Sequence, residues 1–267
     1  MRFRQFLVSA LFLALTGVSF QAQALTERTL CVFDIVGSSG DTYNMMKDYR
    51  AAALNWGVKL KLQVYTNEKI AAQDLKANKC DASVITGLRA RAFNKFTGSI
   101  ESVGAVPSYD HMRTLIKVLA SGSPGINKQL KEGPYEIMGV GPMGAADLFV
   151  KNREIDTVGE LSGKSIAVME YDKAQARMAS SVGMSPVLSD ITNFAGRFNN
   201  NSVDICFAPI AAYQALELYK GLRPNGGIVD YVLGQLSLQI VARHKRFPDG
   251  FAQKSREYFR DEIFGKA

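Results

Sequence analysis

Apolar positions along this chain change their period in a regular alternation. The run Thr29 to Val36 (TLCVFDIV) is short, apolar and β-type, and it stops at the turn Gly37-Ser38-Ser39-Gly40. Asp41 is then expected to cap a helix that runs to about Trp56, with Tyr43, Met46, Ala51 and Leu54 as its apolar or small positions, and Gly57 ends it. Val58 to Tyr65 puts Leu60, Leu62 and Val64 on one face, the period of two expected of a half-buried strand. A second helix is predicted from Asn67 to about Asn78, and a third strand from Asp81 to Thr86. Strand and helix in strict alternation predict parallel strands joined by right-handed crossovers.

The pattern then breaks over a stretch rich in turn formers: Pro107, Gly122, Pro124, Gly125, Gly133 and Pro134. Ile137 to Val140 is predicted as one strand inside it. Alternation resumes with a strand at Ser165 to Met169, a helix at Asp172 to Val182 and a short strand at Pro186 to Leu188. A helix at Ile191 to Phe198, a strand at Val203 to Ala208, a helix at Ala211 to Tyr219 and a strand at Leu236 to Ala242 follow. Two βαβ units separated by Gly/Pro-rich crossings predict an α/β protein of two lobes rather than one continuous sheet. Residues 25–144 with 233–267 form lobe one in this reading, and 145–232 form lobe two. The final segment, Phe251 to Phe264, is predicted as a helix.

The first residues carry a different pattern. Arg2 and Arg4 precede an almost purely apolar run from Phe6 to Leu15, and Ala22-Gln23-Ala24 supplies a small-x-small exit. That order is a secretory signal, with cleavage expected after Ala24. The alternative, an uncleaved anchor, meets a run only half of the ~20 residues that span a bilayer. The expected location is the periplasm.

Composition adds little beyond confirming a packed protein: 47% of the chain is hydrophobic and 21% charged. Net charge is +7, and losing residues 1–24 removes two arginines and no acid, leaving +5. Lys and Arg are scattered with Asp and Glu between them, so no nucleic-acid surface is expected. Cys31, Cys80 and Cys206 lack Cys-x-x-Cys spacing, and only His111 and His244 could join them, so neither a metal nor a cofactor is expected. Cys31 and Cys80 each open a predicted strand; an oxidised pair and buried free thiols both fit.

Ligands of open α/β sheets sit at the carboxyl ends of strands. Four places follow: Asp34 with Ser38, Ser39 and Gly40; Thr86 with Arg89; Glu170, Tyr171 and Asp172; and Pro209 with Tyr213. The Gly37–Gly40 turn lacks the Gly-Lys-Ser/Thr of a phosphate loop, and a turn plus helix cap is its other reading. Arg89 could fork onto a carboxylate or phosphate, or form a structural ion pair. Arg91 and Lys95 are expected to face water. No serine flanked by glycines accompanies either histidine, so an enzyme is not expected.

Ile155 to Asp204 resembles the dicarboxylate-binding type of solute receptor that serves TRAP transporters. The matching elements are Thr157-Val158-Gly159-Glu160-Leu161-Ser162-Gly163-Lys164, Ser165 to Val168, Gly183-Met184-Ser185-Pro186-Val187 and Asn201-Ser202-Val203-Asp204. Cys31 to Val36, Asp81 to Phe96 and Ala215 to Gly221 are similar to a family of periplasmic solute-binding proteins, some of whose members carry an RND-type aminoglycoside-efflux label. The resemblance implies a type II, TRAP receptor-like periplasmic-binding-protein fold, a small-molecule solute and an inner-membrane transporter as partner. Its alternative is a periplasmic accessory to drug efflux. TRAP receptors carry an arginine carboxylate clamp at the position of Ala167, so carboxylate specificity is not implied here. They also continue through further helices beyond the equivalent of Phe264, which implies a shortened member.

Overall fold

The structure is a computed structural model that describes residues 25–266. The expected leader, residues 1–24, and its cleavage site lie outside the described residues.

Ten strands are described, β1 (Thr26–Phe33), β2 (Val58–Tyr65), β3 (Ala82–Thr86), β4 (Lys131–Glu132), β5 (Tyr135–Val150), β6 (Ser165–Met169), β7 (Ser185–Ser189), β8 (Ile205–Pro209), β9 (Gly227–Ile228) and β10 (Gln235–Arg243). The hydrogen-bonded path runs β2-β1-β3-β10-β5-β8-β6-β7. β1 pairs in parallel with β2 and β3, as the alternation of strand and helix predicts. β6 pairs in parallel with β7 and β8. Antiparallel β10 and β5 lie between these two parallel groups.

Period two decides which side chains meet. In β1, Leu30 and Val32 join one buried cluster while Cys31 and Phe33 join the other. In β6, Ile166 and Val168 face one core while Ala167 and Met169 face the opposite one. Each parallel group is therefore covered on both faces, and the two-lobed α/β expectation is met.

β5 is the largest departure from the sequence reading, which had only Ile137 to Val140. The strand is 16 residues long and belongs to both lobes. It pairs with β10 as far as Ala145 and with β8 from Ala146 onward. The sheet is thus continuous through one shared strand rather than divided. Gly139, Gly141, Pro142 and Gly144 hide it in the sequence, because such residues ordinarily weaken strands. Packing overrides that bias. A Cβ on Gly139 would stand 2.6 Å from the Phe259 ring, so the glycine lets the C-terminal helical segment lie directly on the strand. Gly144 has φ +96°, beside a register shift between Leu236 and Ser237 of β10. This irregular crossing lies where the chain passes from lobe to lobe.

Smaller differences have local causes. β1 ends at Phe33 because Asp34 turns back on the loop after it. The predicted helix over Ala211 to Tyr219 is two short helices, Ala212–Ala215 and Leu218–Gly221, interrupted by Glu217 at φ 53°. The C-terminal helix runs α-helically over Phe251–Tyr258 and then widens to a π-helical turn at Phe259–Ile263. Cys31 and Cys80 form a disulfide with Cα atoms 5.9 Å apart, and Cys206 is a buried free thiol.

Candidate functional site

A cavity of about 210 Å³ lies between the lobes, beside the β5–β10 crossing. Leu88, Arg91 and Glu101 wall it from the first lobe, and Asp172, Gln175 and Phe207 from the second. Gln235 and Leu236 of β10 close its floor. A smaller space of about 50 Å³ adjoins it, sharing Leu88, Glu101, Phe207 and Leu236, and reaches Thr86, Tyr171 and Pro209.

Two of the four places nominated from the sequence converge here. Thr86 caps the helix Gly87–Ala90 by accepting the Arg89 N–H, and that turn swings Arg89 toward the second lobe. Arg89 is 8% exposed; its Nε donates to Glu68 Oε2 at 3.2 Å, and its guanidinium lies 3.5 Å from the centre of the Tyr171 ring. Glu68 has no exposed surface, and its Oε1 accepts the Thr86 N–H at 2.7 Å. Burial pushes the Glu68 carboxyl up, while the Thr86 bond and the Arg89 charge pull against it. Burial also raises the Tyr171 hydroxyl, with the Glu68 charge adding to it.

Asp172 is buried and does two jobs. Its Oδ1 accepts the Ala174 and Gln175 N–H groups at the start of the helix Lys173–Ser181, where a carboxylate also meets the favourable end of the helix dipole. Its Oδ2 takes a 2.7 Å bond from Arg91 Nη1 of the other lobe. Arg91 is therefore not the water-facing residue expected from the sequence, since Asp172 draws it into the interlobe space. Lys95 is exposed, as expected. Glu170 stands at the rim, 3.0 Å from Lys69.

Of the remaining places, only Pro209 reaches the interlobe space. Asp34 Oδ1 accepts the Val36 N–H and Oδ2 the Tyr43 N–H, each at 3.0 Å. Its carboxylate thus fills the helix N-terminus that an anionic solute would need. Ser38 and Ser39 are exposed on the turn above it and line neither space. Tyr213 packs on Phe149 in the second lobe's core, while its companion Pro209 lines the smaller space. Ala167, where the clamp arginine was expected by resemblance, is 1% exposed within that same core.

Sequence reasoning missed Glu68, Glu101, Gln175, Gln235 and Ser237. Glu68 reads as an ordinary first-turn acid, and Glu101 stands in a turn region without periodicity. Only the fold brings Glu101 to β10, where Oε1 accepts the Ser237 N–H at 2.6 Å and the Ser237 hydroxyl at 2.7 Å. Its other oxygen, Oε2, is buried and has no hydrogen-bond partner. Burial pushes the Glu101 carboxyl up to about 7, against the Ser237 bonds and the Arg91 charge.

Residues 50–265 match the family described as solute-binding protein AdeT 1/2. The chain belongs to that family. It is 44% identical over 232 residues to a protein of Acinetobacter baumannii named probable solute-binding protein AdeT1, covering 87% of this chain and 76% of that one. A second protein of that organism, probable solute-binding protein AdeT2, is 30% identical over 162 residues, 61% of this chain and 67% of its own. Solved structures share the fold at low identity. A TRAP periplasmic solute-binding protein from Desulfovibrio salexigens with bound orotic acid gives a TM-score of 0.72 at 14% identity, covering 90% of this chain and 78% of that one. DctP7 of Bordetella pertussis, which binds pyroglutamic acid, gives 0.69 at 12%, covering 91% and 81%. These matches make the chain a solute-binding protein, and the efflux-accessory alternative is not favoured. No helix among the described residues is long and apolar enough to cross a membrane.

Proposed function

We propose that this solute-binding protein captures a small molecule in the 210 Å³ cavity between its lobes and releases it unchanged, without catalysis. The observation that carries this reading is a cavity walled from both lobes at an irregular two-strand crossing. Gly144 and the register shift beside it serve as the hinge, with the lobes taken as residues 25–144 plus 233–267 and 145–232. Closure is held by contacts that reach across: Arg91 to Asp172, Arg89 over Tyr171 and Lys69 to Glu170. Solute adds its own contacts to both walls and so favours the closed arrangement.

Secretion through a signal ending at Ala24 places this activity in the periplasm. An inner-membrane transporter of the TRAP kind is the partner that would take the solute onward. Solutes such as orotate and pyroglutamate, bound by the structural neighbours, set the size range to screen. The test is a thermal-shift screen of small metabolites on protein lacking residues 1–24, followed by titration calorimetry. A true solute at 100 times its dissociation constant should stabilise the protein by about 2.7 kcal/mol. Ala174→Trp, which puts an indole on the cavity wall, should abolish that gain; binding that survives it would place the site elsewhere.

A further inference from the structure

The charged groups at the interlobe space are not equivalent. Arg89 already holds Glu68 and is covered on one face by Tyr171. Arg91 already holds Asp172 and donates its Nε to the Gly98 carbonyl. Both guanidiniums are thus matched by a carboxylate of the protein itself. Glu101 is the carboxylate left over. Ser237 occupies one of its oxygens from two sides, and the second is shut from solvent with no hydrogen-bond partner.

The fold makes room for this group. A Cβ on Gly87 would stand 2.1 Å from Glu101 Oε1 and 2.3 Å from Ser237 Oγ, so only glycine admits the carboxylate beside β10. Both interlobe spaces meet at Glu101. Apolar side chains (Leu88, Val103, Met178, Phe207 and Leu236) make up much of the wall around it. A buried acceptor in such a wall is costly unless something donates to it.

The geometry points to Glu101 as the specificity-determining residue of the cleft: it selects a solute that carries an ammonium or amidinium group on a small apolar body and donates from that group to Oε2. The inference rests on the interlobe cavity being the solute site. A carboxylate solute is disfavoured on the same observations, since it would have to displace Asp172 or Glu68 from an arginine and would add charge beside Glu101. A cation instead completes the pairing with a charge-assisted hydrogen bond in a dry site.

Matched probes on one ring test it: benzylamine, benzamidine, benzyl alcohol and benzoate, titrated into the protein lacking residues 1–24. The two cations should bind at least tenfold more tightly than the alcohol, and benzoate most weakly. Glu101→Gln keeps an Oε1 to accept both Ser237 bonds but turns a donor toward the cation. It should cost the cations tenfold or more, while circular dichroism and melting report an intact fold. Cations that bind no better than benzoate, bind Glu101→Gln equally, or do not bind at all overturn the inference. The cavity reading fails separately, when a probe that binds the parent protein binds Ala174→Trp with the same affinity.

Discussion

Asp34 and Glu101 are two carboxylates of the same lobe, one at the end of β1 and one beside β10. Asp34 gives each oxygen to a backbone N–H, from Val36 and from Tyr43, and stands against Gly40 with no space for a side chain between them. Glu101 gives one oxygen to Ser237 and leaves the other without a donor. The first carboxylate is complete within the chain, so its work is to close a turn and start the helix Asp41–Leu54. The second is incomplete, which is what a group awaiting a solute looks like. Position at a strand's carboxyl end nominated Asp34 and overlooked Glu101, because position says nothing about which lone pairs the rest of the fold has claimed.

The comparison breaks most readily on stability. Asp34→Ala removes the acceptor from two N–H groups at once and should cost about 2–4 kcal/mol in chemical denaturation, leaving solute affinity unchanged. Reducing the Cys31–Cys80 disulfide, which also anchors β1, should cost a similar 2–4 kcal/mol. Thiol counting on unreduced, denatured protein should find the single free thiol of Cys206. An effect of either change on affinity equal to its effect on stability would dissolve the distinction.

Glu101 should show itself through pH. Its carboxyl lies at about 7 in the folded protein and near 4.5 when unfolded. Between those values the folded state holds the extra proton, so this group's contribution is full below about 4.5 and is lost as pH rises through 7. The loss is on the order of 3 kcal/mol. Glu101→Gln should remove that slope from stability measured across pH 4 to 8. A slope of the same size in the variant would mean that another group carries it.

The cross-lobe contacts should have graded effects. Asp172→Asn weakens the pair with Arg91 and should cost about 1–2 kcal/mol of stability while loosening closure, which small-angle scattering reports as a larger radius in the presence of solute. Lys69→Ala removes only the exposed rim pair with Glu170 and should change stability by less than about 0.5 kcal/mol.

Much of the second lobe's contribution to the cleft was legible. Tyr171 and Asp172 follow a strand whose end was placed correctly at Met169, and an acid before a helix is a recognisable cap. Thr86 and Arg89 were found by the same rule in the first lobe. The rule failed where a strand end leads into a tight, self-satisfied loop, as at Asp34, or where the following side chain turns inward to a core, as at Tyr213. Arg91 was misjudged because its partner, Asp172, lies 81 residues away.

Local patterns by themselves determined the strand faces, the parallel order of each βαβ unit and the capping of several helices. Leu30 and Val32 part from Cys31 and Phe33 because successive side chains alternate, and Asn67 caps because its carbonyl reaches the Ile70 N–H three residues on. These interactions span a few residues, so the chain carries them wherever it goes. The sharing of β5 between lobes was decided only by tertiary structure, which set the Phe259 ring against Gly139 and so made a strand of a glycine-rich stretch. So was the state of Glu101, whose partner Ser237 is 136 residues distant. Whether a buried polar atom is satisfied depends on groups that chain closure brings from afar, and no period or spacing near that atom records them.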